Sequence, residues 1–153
     1  MKKQALITGA TSGIGRATAL RLAAEGYDIT ATGRRAERLE TLRREIEAAG
    51  GRCTALVFDV RSEAEVRKFL SPLERVDLLI NNAGLAAGLE HIDQGDTADW
   101  DAMIDTNVKG LLYVTRVVTP KMVAAGGGHV FNIGSIAGTG AHENGAVYCA
   151  SKH

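Results

Sequence analysis

Tyr148 and Lys152 stand four residues apart in Tyr148-Cys149-Ala150-Ser151-Lys152, so on a helix the phenol and the ammonium share a face. A free tyrosine ionises at about pH 10 and is a poor base at neutrality, but a fixed cation beside it favours the phenolate. The pair can therefore carry a proton. A second pattern, Thr8-Gly9-Ala10-Thr11-Ser12-Gly13-Ile14-Gly15, has its glycines at G-x-x-x-G-x-G between an apolar run and an amphipathic one. Such glycines permit a tight turn and the close approach of a pyrophosphate, which the N–H-rich end of the next helix attracts. Taken singly, each pattern also has a plain structural reading, as a surface Tyr–Lys pair and as a turn built for packing.

The end of the second apolar run refines the ligand. Where an acidic residue would bond the adenosine ribose of NAD, the chain carries Gly33-Arg34-Arg35. Two cations there suit the 2′-phosphate of NADP, so NADP is expected over NAD. A solvated arginine pair is the other reading, although cations at a helix start oppose the helix dipole.

These residues need strands and helices to hold them, and short apolar runs do alternate with longer amphipathic ones in the rhythm of βαβ units. Strands are expected at about Gln4–Thr8, Asp28–Thr32, Cys53–Phe58, Val76–Ile80 and His129–Ile133. Helices are expected from about Ile14 to Glu25, with Ala17, Leu20, Leu22 and Ala23 on its packed face, and through Leu39, Leu42 and Ile46, stopped by Gly50-Gly51. Ser62 and Glu65 form a candidate capping box for a third helix ending near Ser71-Pro72. A long helix should run from Thr97 to Val123, and a last one should start near Ala146. The result is a doubly wound α/β fold, one domain spanning 1–153.

Composition removes several classes of function. Lys plus Arg and Asp plus Glu both number 18, so no basic footprint for nucleic acid exists. Cys53 and Cys149 have neither CxxC spacing nor paired histidines, which argues against a disulfide frame or a metal site and fits a reducing, cytoplasmic setting. Met1-Lys2-Lys3 is followed by too short an apolar stretch for a leader, and no run approaches the ~20 apolar residues that span a bilayer. Glycine alone is in excess, 18 of 153 residues, so backbone must approach backbone or ligand closely at several turns.

Jointly, Thr8-Gly9-x-x-x-Gly13-Ile14-Gly15, Asn81-Asn82-Ala83-Gly84, Ser135 and Tyr148-x-x-x-Lys152 follow the order and spacing of the short-chain dehydrogenase/reductase family, which the whole chain resembles. Asn107, in Asp105-Thr106-Asn107-Val108, matches the asparagine that completes the family's catalytic tetrad, and Asp59-Val60 matches its adenine-lining pair. The stretches from Asn82 through Leu89 to Glu90 and from Trp100 to Asn107 are similar to a subgroup, the NADP-dependent dehydrogenases of 3-hydroxy acids such as serine.

The resemblance implies a Rossmann-type sheet ordered 3-2-1-4-5 and an oxidoreductase that passes hydride between nicotinamide and a secondary alcohol or carbonyl. Tyr148 would be the acid/base, Lys152 would favour its ionised form and hold the nicotinamide ribose, Ser135 would bond the reacting oxygen, and Asn107 would hold a relay water. Cofactor contacts would come from Gly9, Thr11, Ser12, Gly13, Ile14, Gly15, Arg34, Arg35, Asp59, Val60, Asn82, Tyr148 and Lys152. Asn81 would tie the sheet to the long helix. His142 and Glu143, between Ser135 and Tyr148, could touch substrate.

Family members continue beyond the catalytic lysine through two further strands, whereas this sequence stops at His153, so truncation is expected. Without those strands, Val130, Phe131 and Ile133 would lie on an unpaired edge. A small-molecule substrate and a homodimer or homotetramer are the expected partners. Two other classes compete: a non-catalytic dinucleotide-binding module, and an interaction fragment that buries its last helices against a partner.

Overall fold

The computed structural model describes residues 2–88 and 90–153; Met1 of the N-terminal triplet and Leu89 of the subgroup stretch lie outside them. Among the described residues, β1 (Gln4–Ile7), β2 (Asp28–Gly33), β3 (Cys53–Val57), β4 (Leu78–Asn81) and β5 (His129–Asn132) form one parallel sheet in the order β3-β2-β1-β4-β5. The helices are α1 (Gly13–Ala24), α2 (Ala36–Ala48), α3 (Glu63–Leu70), α4 (Thr97–Ile104), α5 (Leu111–Ala124) and α6 (Ala146–Lys152). This is the expected Rossmann-type α/β architecture.

The central strand shows why its sequence is apolar without alternation. Ala5 and Ile7 enter one core with Ile29, Ala31, Leu39, Leu42 and Ile46, while Leu6 between them enters another with Leu79, Val66, Leu70, Val114 and Val118. Side chains alternate across the strand, and helices cover both faces. The α2 stripe is buried as expected, and on α1 the expected Leu20, Leu22 and Ala23 pack against the first core. Ala17 instead is exposed, while Gly15 and Ala19, an i, i+4 pair, are the fully buried positions of α1.

The capping box at α3 is half made. Ser62 Oγ accepts from Glu65 N at 3.2 Å, whereas the Glu65 carboxylate accepts from Asp59 N at 2.8 Å rather than from Ser62. The expected long helix is interrupted by a widened i→i+5 turn over Asp105–Gly110, joining α4 to α5. β5 pairs with β4 on one side, and its four residues are all exposed, with Phe131 at 54%. Of the expected apolar edge, Val130 and Phe131 are exposed, whereas Ile133, just past the strand, is half-buried and packs against the core.

Candidate active site

The carboxyl ends of β1, β2, β4 and β5 open onto one side of the sheet, where an α/β fold binds ligands. Thr8, just past β1, donates its N–H to Ile80 O at 3.0 Å, and its Oγ1 accepts from Asn82 N at 3.1 Å and Ala83 N at 3.0 Å. The Asn82 amide answers by donating to Thr8 O at 3.0 Å and Gly9 O at 3.1 Å. The glycine turn is thus clamped to the loop after β4. A Cβ at Gly9 (φ +66) would stand 2.9 Å from Ala83 Cα, and one at Gly15 would strike Asn82 Nδ2 and Gly9 O. These two glycines serve the turn's own packing, while Gly13 (φ +55) has open space beside it.

Ser12 caps α1 by position but makes no side-chain cap bond, and the first turn of α1 holds no acid. No side chain competes for its N–H groups, so that end of the helix favours an anion. It adjoins a cavity of about 440 Å³ lined by Gly9, Thr11, Ser12, Ile14, Arg34, Arg35, Asp59, Val60 and Asn82 from the expected cofactor set, together with Gly33, Phe58, Ala83, Gly84, Leu85 and Thr106. Gly13, Gly15, Tyr148 and Lys152 of that set are not on its wall.

Charge on the cavity wall is arranged in pairs. Arg35 donates Nε to Thr11 Oγ1 at 3.1 Å and Nη2 to Ser12 Oγ at 2.8 Å. Arg34 lies 3.8 Å from the Asp59 carboxylate, which also accepts from Arg61 at 2.7 Å. Partial burial opposes ionisation of Asp59, but the Arg61 hydrogen bonds and the two guanidinium charges outweigh it, holding the carboxyl below the ordinary range.

None of the expected catalytic residues is on the wall of this cavity. Asn107 sits in the widened turn, 5% exposed. Its Nδ2 donates to Leu85 O at 2.8 Å and to Ser151 Oγ at 2.9 Å, and its Oδ1 accepts from Leu85 N at 2.9 Å. Both amide hydrogens are committed, so a water could meet this side chain only at Oδ1. Ser151 Oγ in turn donates to Tyr148 O at 2.8 Å, which joins the loop after β4, the widened turn and α6 in one chain of bonds.

Lys152 donates Nζ to Ile133 O at 3.0 Å, just past β5. A Cβ at Gly84 would come within 3.2 Å of that nitrogen and 3.1 Å of Asn107 Oδ1, so the two side chains converge over a bare backbone. Ser135 Oγ accepts from Ala137 N at 3.2 Å and opens a short 3₁₀ turn, Ile136–Gly138. That turn presses on the end of α6 so closely that a Cβ at Gly138 would overlap Lys152 O. Tyr148 is half-buried on the first turn of α6, and among the described residues its phenol makes no hydrogen bond. It lines a much smaller cavity, about 20 Å³, with Glu90, Asp96, Asp99, Trp100 and Met103.

A profile of the short chain dehydrogenase family matches residues 3–153. The chain belongs to that family. Among its short chain dehydrogenase relatives, the NADP-dependent 3-hydroxy acid dehydrogenase YdfG of Salmonella typhi is 44% identical over 151 residues, covering 96% of this chain and 60% of the relative. Sulfoacetaldehyde reductase 2 of Chromohalobacter salexigens is 46% identical over 152 residues, with 96% and 60% covered. A solved structure, the closed form of serine dehydrogenase complexed with NADP+, superposes with a TM-score of 0.92 at 43% identity over 97% of this chain and 60% of that one. The chain spans about 60% of the length of the curated relatives it matches.

Several members of the network were not singled out as site residues from the sequence. Thr8 and Gly84 stood in the quoted motifs without an assigned role, and Gly138 emerges only from its contact with the end of α6. For Ser151 a signal existed, since a serine three residues after Tyr148 can bond back to its carbonyl on the same helix. Asn81 was anticipated: its Nδ2 donates to Thr115 Oγ1 on α5 and to Asn132 Oδ1 on β5, both at 2.9 Å. His91, His129, His142 and Glu143 are exposed. Among the described residues no His, Cys, Asp and Glu cluster could hold a metal.

Proposed function

We propose that this short chain dehydrogenase is an NADP-dependent oxidoreductase that interconverts a primary or secondary alcohol and its carbonyl, with Tyr148 as the acid/base. The observation that carries the reading is the arginine pair on the wall of the 440 Å³ cavity, facing an uncapped helix N-terminus. A dinucleotide with a 2′-phosphate fits this donor set. The pyrophosphate would lie on the α1 N-terminus, and Arg34 and Arg35 would hold the added phosphate. Asp59 and Val60 would flank the adenine, and Asn82 would meet the nicotinamide half. When bound, the nicotinamide supplies or accepts the hydride.

The chain's own residues handle the proton. Tyr148, free of protein partners at its oxygen, passes a proton to or from the substrate oxygen, and Lys152 offsets the negative charge that this transfer creates. Ser135 donates to the same substrate oxygen, an oxyanion-type role. Asn107 holds α6 in place and offers Oδ1 to a relay water.

The relatives' names narrow the substrate. A 3-hydroxy acid and sulfoacetaldehyde both carry an anionic acid group one carbon away from the carbon that changes oxidation state. We infer a small substrate of that class. Its acid group would avoid the small cavity beside Tyr148, whose charged lining is Glu90, Asp96 and Asp99. Cytoplasmic residence and a homodimer or homotetramer complete the proposal; free, buried Cys53 and Cys149 and exposed Leu112 on α5 support them. No helix among the described residues is long and apolar enough to cross a membrane.

A second reading, a dinucleotide-binding module without turnover, is favoured by the absence of Asn107, Ser135, Tyr148 and Lys152 from the wall of the large cavity. Titration with NADPH and NADH, followed by incubation with 3-oxo acids and a sulfonated aldehyde, separates the readings. Preferential NADPH binding with consumption of NADPH supports the enzyme. Preferential binding without consumption supports the module, and equal binding of the two cofactors overturns the NADP reading.

A further inference from the structure

The glycine turn stands between two hollows. Thr11 and Ser12 border the large cavity on one side and, on the other, an outer hollow of about 300 Å³ completed by Gly13, Arg16, Arg38 and Thr41. Arg35 lies along the seam, donating to both hydroxyls. Arg34 leans toward Asp59 at 3.8 Å. Both arginines at the end of β2 are thus partly spent on protein neighbours.

The outer hollow is lined by cations and hydroxyls, with no carboxylate on its wall. Arg16 is paired with Glu45. Arg38 has no hydrogen-bond or ion-pair partner among the described residues. Positions three and four further along its helix are Thr41 and Leu42, and those three and four before it are Arg35 at the helix cap and Arg34 ahead of it, so no acid stands at pairing distance along the chain. It also sits in the first turn of α2, where positive charge opposes the helix dipole. Folding therefore gains no electrostatic benefit from a cation at this place. A phosphate monoester at the seam would supply the missing counter-charge and accept from the Thr11 and Ser12 hydroxyls as well as from arginine.

We propose that Arg38 is a third cation for the 2′-phosphate of NADP, acting across the Thr11–Ser12 seam from the side opposite Arg34, and that it helps to set the preference for NADP over NAD. This rests on the NADP reading above. Arg38 is then a specificity-determining residue that composition and motif leave unmarked.

Calorimetric titration with 2′,5′-ADP and 5′-AMP tests the inference without the nicotinamide half. On the unchanged protein, 2′,5′-ADP should bind more tightly. Arg38→Gln should weaken 2′,5′-ADP by about tenfold, the scale of one charge-assisted hydrogen bond, and leave 5′-AMP within about twofold. Arg38→Lys should recover part of the loss. If Arg38→Gln leaves 2′,5′-ADP unchanged while the Arg34→Gln/Arg35→Gln double variant loses it, the role of Arg38 is overturned and the NADP reading stands. Equal weakening of both ligands by Arg38→Gln also overturns it. If the unchanged protein binds 2′,5′-ADP no better than 5′-AMP, the NADP reading itself fails, and the inference with it.

Discussion

At the scale of single residues, the site divides into groups left open and groups already committed. The Tyr148 phenol is open, whereas the Asn107 amide is committed to Leu85 and Ser151, and the Lys152 ammonium to Ile133 O. That division is consistent with the proposed proton transfer by Tyr148 and with a positioning role for Asn107. Tyr148→Phe removes only an oxygen that no protein group bonds, so the fold and NADPH affinity should be nearly unchanged. Turnover should fall by about a hundredfold or more, the usual scale of a lost acid/base. Steady-state rates with NADPH titrations in parallel check this; retention of most activity would remove Tyr148 from the chemistry. The Tyr148–Lys152 spacing was legible because i and i+4 meet on any helix. The Ser151–Asn107 bond was not, because it joins residues 44 apart in sequence.

At the scale of elements, α2 shows how a strongly charged helix remains ordered beside the cofactor wall. Leu39, Leu42 and Ile46 anchor it, and Glu40 accepts from both Arg43 and Arg44 at 2.7 Å. Those hydrogen bonds, Arg43 first, pull the Glu40 carboxyl down to about 2. In an unfolded chain it would titrate at about 4.3. A depressed carboxylate contributes stability that is fully present above the unfolded value and is lost as pH falls through the folded one. The melting temperature should therefore decline between about pH 4.3 and the folded value near 2, in part through Glu40. Arg43→Ala should make that decline shallower, with the apolar anchors Leu39, Leu42 and Ile46 of the helix kept. An identical acid limb in both proteins, followed by circular dichroism, would show that the network contributes nothing measurable, as exposed pairs sometimes do. The α2 stripe was legible from its period. On α1 most of the packed face was legible too, through Leu20, Leu22 and Ala23, whereas the burial of Gly15 was not, because it comes from the close approach of Asn82 Nδ2 and Gly9 O.

At the scale of the whole molecule, the βαβ alternation and the side on which the loops gather follow from alternating runs and the glycine turn, whereas the strand order was legible through the family resemblance. Closure of the site was not, since it depends on Asn82 reaching back to Gly9 and on Gly138 lying against the end of α6. The sheet also has an uneven rim: β3 is covered in part, whereas β5 exposes His129, Val130, Phe131 and Asn132. Phe131→Lys should leave 2′,5′-ADP affinity unchanged, because Phe131 borders neither hollow. A loss of affinity in that variant, read by calorimetry, would show that β5 takes part in the ligand site.

The widened turn at Asp105–Gly110 has a consequence for how this helix can change over time. An i→i+5 turn holds about one residue more than the regular turn it replaces. Because the wide turn fits its extra residue into the same full turn, deleting one residue there would restore a regular helix with α5 close to its present phase, so Val114, Val118 and Met122 could keep their places in the core. Asn107 would not keep its place, and its bonds to Leu85 and Ser151 would be lost. The extra residue is therefore held by the site and not by the core, and a lineage that lost it would keep the fold while losing the tie between the loop after β4 and α6.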